Sequence, residues 1–168
     1  MSSLVWNIVV SAMLLQGGSQ SYIAEGPAMQ PNIYAEDRLT VVKATEKDIE
    51  RGDIIVFQTP ENEKTFVKRV VGLPGEKIKI KGDQVYINNK VIKEPYIQAA
   101  VKKAKSEGYA YNITDYNGGN KKIPQHQFFV LGDNRSNSMD SRMFGTISIQ
   151  KVKGEVTAIQ GKKLNSSK

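Results

Sequence analysis

The chain has 168 residues, 39% of them hydrophobic and 24% charged, the composition of a folded domain large enough for a real core and an insertion. It holds no cysteine and one histidine, His126. That excludes disulfides, thiolate metal sites and cysteine catalysis, and leaves a Ser-His-Asp triad only a histidine set in a turn. The net charge of +7 gathers in Val101-Lys102-Lys103-Ala104-Lys105, Lys121-Lys122 and the tail 161–168. These patches lack the arginine–aromatic interleaving of a base-reading surface, so a solvated basic face and no nucleic acid partner are expected.

In chain order, Leu4 to Leu15 is apolar apart from Asn7 and Ser11. It falls short of the ~20 residues that span a membrane, and no basic stretch precedes it as in a signal peptide. It reads first as the remnant of a shortened anchor, with an interfacial helix or a strand lying on the domain as alternatives. Gly17-Gly18-Ser19-Gln20 closes it with a flexible break. Glu25-Gly26-Pro27-Ala28-Met29-Gln30-Pro31-Asn32-Ile33 follows, stiffened by two prolines. It is either an irregular connection or a rigid segment presenting one residue to a groove.

Beyond Tyr22 the pattern is strand-like. Strands are expected at 38–42, 53–58, 65–72, 77–81, 84–87, 127–131 and 152–160. Lys77 to Lys81 alternates with period two, as a half-buried strand does. Gly82-Asp83 fits a two-residue hairpin, and Asn88-Asn89 marks another turn. Only Gln98 to Gly108 looks helical, rich in alanine and closed by glycine. These elements describe an antiparallel β domain with a smaller insertion over about 77–126.

Two stretches carry candidate chemistry. Lys68 lies in the apolar strand Thr65-Phe66-Val67-Lys68-Arg69-Val70-Val71, where Lys68 and Arg69 point to opposite faces. Facing inward, its amine loses charge by desolvation and can act as a general base towards a hydroxyl. Facing outward, it is an edge-strand lysine that discourages pairing. The second stretch, residues 129–145, runs from an apolar strand through Gly132 into Asp133, Asn134, Arg135, Ser138, Asp140, Ser141 and Arg142. Such a density of short polar side chains suits the rigid shell of an active site, or a solvated loop. Gly72-Leu73-Pro74-Gly75-Glu76-Lys77 lacks the spacing of a phosphate loop. Arg135 and Ser138 likewise break the pattern of a calcium loop.

The 25–33 segment, the Lys68 strand and the 129–145 run, together with Arg51-Gly52-Asp53-Ile54-Ile55-Val56-Phe57, resemble the type I signal peptidases, especially the Gram-positive kind. That family carries Ser-Met-x-Pro-Thr, Lys-Arg-Val-x-Gly-x-Pro-Gly and Gly-Asp-Asn-Arg-x-x-Ser-x-Asp-Ser-Arg in the same order. The resemblance implies an all-β, mainly antiparallel fold: a signal-peptidase-like catalytic core with a small β-rich insertion and one short helix. The implied division is 1–21 apolar segment and linker, 22–76 plus 127–160 core, 77–126 insertion and 161–168 basic tail. The implied roles are Lys68 as general base and Ser138 hydrogen-bonding its amine, with Asp140 and Arg142 as a supporting ion pair. Gly132, Asp133 and Asn134 shape the turn beneath, and Met29, Gly26 and Pro31 border the substrate groove. The backbone N–H of residue 28 helps to hold the oxyanion.

One departure stands out. Ala28 occupies the position of the family's serine nucleophile, and Asn32 replaces the usual threonine. Losing the nucleophile of such a unit costs ~10⁴ to 10⁶ in turnover, so the chain is expected to be inert as it stands. The expectation is a serine endopeptidase framework that would cut signal peptides after small residues, of Ala-x-Ala type, with one inactivating change. The alternative is a catalytically dead binding or assembly scaffold. No cofactor or metal is implied. The implied partners are preprotein signal peptides and the cytoplasmic membrane surface, with the domain monomeric on the extracytoplasmic face of a bacterial membrane. Val10-Ser11-Ala12 offers small residues in the spacing of a cleavage site.

Overall fold

A computed structural model describes residues 13–15, 18–61, 64–160 and 162–163. Its elements in chain order are β1 Met13–Leu15, β2 Ser19–Ile23, β3 Arg38–Val42, β4 Ile54–Gln58, β5 Thr65–Gly72, β6 Ile78–Lys81, β7 Gln84–Ile87 and β8 Lys90–Val91. There follow α1 Pro95–Ser106, β9 Tyr116–Asn117, β10 Gln127–Leu131, α2 Ser141–Phe144, β11 Ile147–Ser148, β12 Val152–Ile159 and β13 Lys162–Lys163. Every strand pair among the described residues is antiparallel. A large sheet runs β1-β2-β3-β12-β4-β5-β10-β11, with β13 beside β12, and a small one runs β8-β7-β6-β9. The mainly antiparallel β architecture expected from the turn-punctuated apolar runs is the one that forms.

The large sheet is apolar on both faces around β4 and β5, whose residues are almost all buried. Val67 joins a cluster with Met29, Ile33, Ile54 and Val56, while Phe66 and Val70 join another with Ile55, Phe57, Phe128 and Ile147. That is the period-two alternation of a strand covered on both sides. A third cluster, with Val71, Ile78, Ile80, Val85, Ile123 and Phe129, seals the small sheet to the end of β5. Gly72 suits that seam, because a Cβ there would lie 2.9 Å from Phe129 Cβ. The two-residue Gly82-Asp83 hairpin forms as expected, with Lys81 opposite Gln84 and Gly82 at φ +53°.

Three expectations need correction. The helix begins at Pro95, three residues earlier than expected, because proline suits the first turn of a helix, and it ends at Ser106. A second, four-residue helix, α2, forms behind an Asp140 cap. Ser19–Ile23 is a strand held by its pairing with β3 despite its polar composition. Of the N-terminal segment, only the backbone of Met13–Leu15 is described, paired with β2; Val10-Ser11-Ala12 lies outside the described residues. No described helix is long and apolar enough to cross a membrane.

Candidate active site

Lys68 faces inward. It is 4% exposed, with its Nζ donating to Val67 O at 3.0 Å and lying 4.8 Å from the Phe66 ring centroid. Burial pushes its amine down to about 8, against the opposing pull of the Asp140 and Asp133 carboxylates. A lysine in this state is partly neutral near physiological pH and can accept a proton. Arg69, on the opposite face, is also buried at 8% exposure, so neither residue is the solvated partner that alternation allowed.

The segment after β2 brings Ala28 to the same place. Ala24, Glu25, Gly26, Ala28, Met29, Ile33, Phe66, Val67 and Lys68 line one small cleft. Its turn is closed by backbone bonds from Gln30 N–H to Pro27 O and from Asn32 and Ile33 N–H to Met29 O, all at 3.0 Å. Met29 lines this cleft, but its side chain is a core residue. Pro31 is exposed and outside the lining, because the turn that closes on Met29 carries it outward.

The polar run after β10 wraps beneath. Gly132 is buried, and a Cβ there would lie 2.1 Å from Ser138 Oγ and 2.6 Å from Ala28 O. Only glycine lets these two groups approach. Asn134 fixes the Ala28 segment with its backbone N–H to Ala28 O at 3.0 Å and its side chain to Pro27 O at 3.2 Å. Asp140, fully buried, accepts from Gly132 N–H at 3.0 Å, from Arg142 Nε and Nη2 at 2.8 Å each, and from Arg142 N–H at the start of α2. The Asp140–Arg142 ion pair is therefore present. Ser138 differs from expectation. Its Oγ is buried without a hydrogen-bond partner among the described residues, and the Lys68 amine bonds its own strand's carbonyl instead.

Several residues of this frame escaped sequence reasoning. Asp133 does more than shape a turn: Arg69 Nε and Nη2 hold its carboxylate at 2.8 and 2.6 Å, and Tyr111 Oη donates to its carbonyl. Arg135 pairs with Glu94 at 2.5 Å and donates to Gly132 O. Asn112 accepts from Arg142 Nη1 at 2.7 Å. Only the adjacency of Arg69 to Lys68, and the place of Arg135 in the polar run, signalled any of this. His126 is exposed, lies 2.6 Å from Glu46 and takes no part in the cleft. Among the described residues no group of His, Asp and Glu is gathered to hold a metal. Chemically, the cleft has a burial-tuned amine and Ala28 in one lining, over a hydrogen-bonded floor.

The chain is similar to known proteins along most of its length. The family described as "Signal peptidase, peptidase S26" matches residues 1–160. A signal peptidase I of Bacillus amyloliquefaciens is 39% identical over 142 residues, covering 83% of this chain and 74% of the relative. Signal peptidase I V of Bacillus subtilis is 36% identical over 160 residues, covering 91% and 92%. A crystal structure of a signal peptidase I from Enterococcus faecalis superposes with a TM-score of 0.58 at 36% identity, covering 65% of this chain and 97% of that one.

Proposed function

Because the chain belongs to the bacterial signal peptidase I family of signal-peptide-processing proteases, we propose that its cleft is a serine–lysine endopeptidase site of the Gram-positive type, with Ala28 standing where the nucleophilic serine belongs. The observation that carries this reading is the shared cleft wall of Ala28 and a buried Lys68 whose amine is pushed down to about 8. With serine at position 28, the neutral Lys68 amine takes the hydroxyl proton while the oxygen attacks the scissile carbonyl. The C–N bond then breaks, the amine returns the proton to the leaving nitrogen, and water releases the acyl group by the same base. The backbone N–H of residue 28 faces the developing oxyanion. With alanine there is no attacking oxygen, so the chain as it stands is inert.

The substrate is the end of a signal peptide, bound extended as an added strand. The shallow apolar lining of Ala24, Ala28, Ile33 and Phe66 favours small side chains before the cut, of Ala-x-Ala type. The site works as a monomer at the extracytoplasmic face of the membrane, in a core of 22–76 plus 127–160 with 77–126 inserted. Retention of Lys68, Ser138, Asp140 and Arg142 favours a single inactivating change over a decayed site. The test is Ala28→Ser assayed on an Ala-x-Ala peptide: cleavage should appear and vanish again with Lys68→Ala. A second reading, a scaffold that holds such peptides without cutting them, is favoured by Ala28 itself. Peptide binding by the Ala28→Ser chain without cleavage would select it.

A further inference from the structure

The loop that carries residue 28 is held from two sides. Asn134 holds it from the polar turn. Asn32 holds it both to that same turn and to α1, with its side-chain NH₂ donating to Asp133 Oδ2 at 2.7 Å and to the backbone carbonyl of Tyr96, in the first turn of α1, at 2.9 Å. A carboxamide has two N–H donors at a fixed angle, whereas a hydroxyl has one. The threonine expected here from the family pattern could serve only one of these acceptors; the asparagine of this chain serves both.

The acceptors are themselves anchored. Asp133 is gripped by Nε and Nη2 of Arg69, which is buried and stacks on the Tyr96 ring at 4.0 Å. The Tyr96 hydroxyl donates to Glu94, which pairs with Arg135. The carbonyl that Asn32 reaches is therefore a fixed point, and Asn32 lies within the same closed turn as Ala28. A shift of α1 is transmitted to residue 28 through one rigid amide.

We propose that Asn32 is a positioning residue that ties the loop bearing residue 28 to the start of α1, so that the segment between β5 and β10 sets the distance between residue 28 and Lys68. The tie stands on geometry alone; its meaning for catalysis rests on the serine–lysine reading.

The chain has no cysteine, so Ala28→Cys introduces a single thiol as a reporter. Its alkylation by iodoacetamide, followed against pH, reads the field of Lys68 at position 28. An ordinary thiol titrates near ~8.5, and a neighbouring ammonium lowers that value. Adding Lys68→Met should raise the midpoint by about one pH unit. Adding Asn32→Ala should move it most of the way in the same direction, and Asn32→Thr, which keeps one donor and is the gentler change, part of the way. In the chain that retains Ala28, Asn32→Ala should also speed amide exchange about tenfold at residues 29, 30, 32 and 33 and at 96–98 together. A midpoint that responds to Lys68→Met but not to either Asn32 variant overturns the positioning role alone, as does unchanged exchange at 96–98. A midpoint indifferent to Lys68→Met removes the serine–lysine reading and this role with it.

Discussion

The Lys68 amine carries an energetic cost that its surroundings only partly offset. Its titration in the folded chain, at about 8, lies below the ~10.4 of a solvated lysine. Between those values the folded chain binds fewer protons than the unfolded one, so stability rises with pH across that window. The full burial cost is felt below about pH 8. Lys68→Met, which keeps the stem and removes the charge, should therefore raise stability at pH 7 by on the order of 3 kcal/mol, with the gain shrinking towards pH 10. Urea denaturation at several pH values measures this; an unchanged midpoint at pH 7 would mean that the amine is solvated. On the proposed serine–lysine reading the same neutral amine is the working base of the Ala28→Ser chain, so cleavage should rise with pH and level off above about 8. The strand alone left Lys68 open between an inward base and an edge lysine, and the resemblance of its flanking residues favoured the inward one. The burial of Arg69 was not legible in the sequence. Alternation in β5 promises one outward face, and only the tertiary fold, with Asp133 arriving from 64 residues away, covers that face too.

At the scale of elements, the turn between β10 and α2 is a crossing point. Three groups meet over Gly132: the Ser138 side chain, the Ala28 carbonyl, and the Asp140 carboxylate that takes the Gly132 N–H. A methyl at Gly132 would lie 2.4 Å from Ser138 Cβ and 2.6 Å from Ala28 O. A hydroxyl could rotate aside, but a backbone carbonyl held by Asn134 cannot. Gly132→Ala should therefore cost about 2–4 kcal/mol and push residue 28 away from Lys68. Thermal unfolding would show the first effect, and loss of cleavage in the Ala28→Ser background the second. A stable, active double variant would show that the loop yields freely. Regular elements were readable wherever patterning was local: the Lys77–Lys81 alternation became β6, with Ile78 and Ile80 inward. Ser19–Ile23 was not, because its strand character comes from the register with β3. The helix start was misread because Pro95 looks like a breaker yet serves as the first helical residue.

Across the whole molecule, the two sheets meet through an apolar seam, and beside it the Glu94–Arg135 ion pair, with side chains 7% and 2% exposed, joins the α1 start to the turn after β10. Arg135 also donates to Gly132 O, so this one ion pair links the start of α1 to the floor of the cleft. Removing one partner of a buried pair strands the other charge, a loss of about 3–5 kcal/mol, whereas replacing both with apolar groups of similar volume is often neutral. Glu94→Ala should therefore destabilise strongly, and Glu94→Leu combined with Arg135→Met far less. The two variants should also differ in where they open. With Arg135 stranded, amide exchange should rise first in Pro95–Ser106 and in the small-sheet strands Ile78–Lys81 and Gln84–Ile87, ahead of Ile54–Gln58 in the large sheet. Exchange resolved by segment, alongside urea denaturation, decides the matter. If both sheets lose protection together in Glu94→Ala, the apolar seam of Val71, Ile78, Ile123 and Phe129 couples them without the strut, and the ion pair serves the cleft floor rather than the union of the sheets.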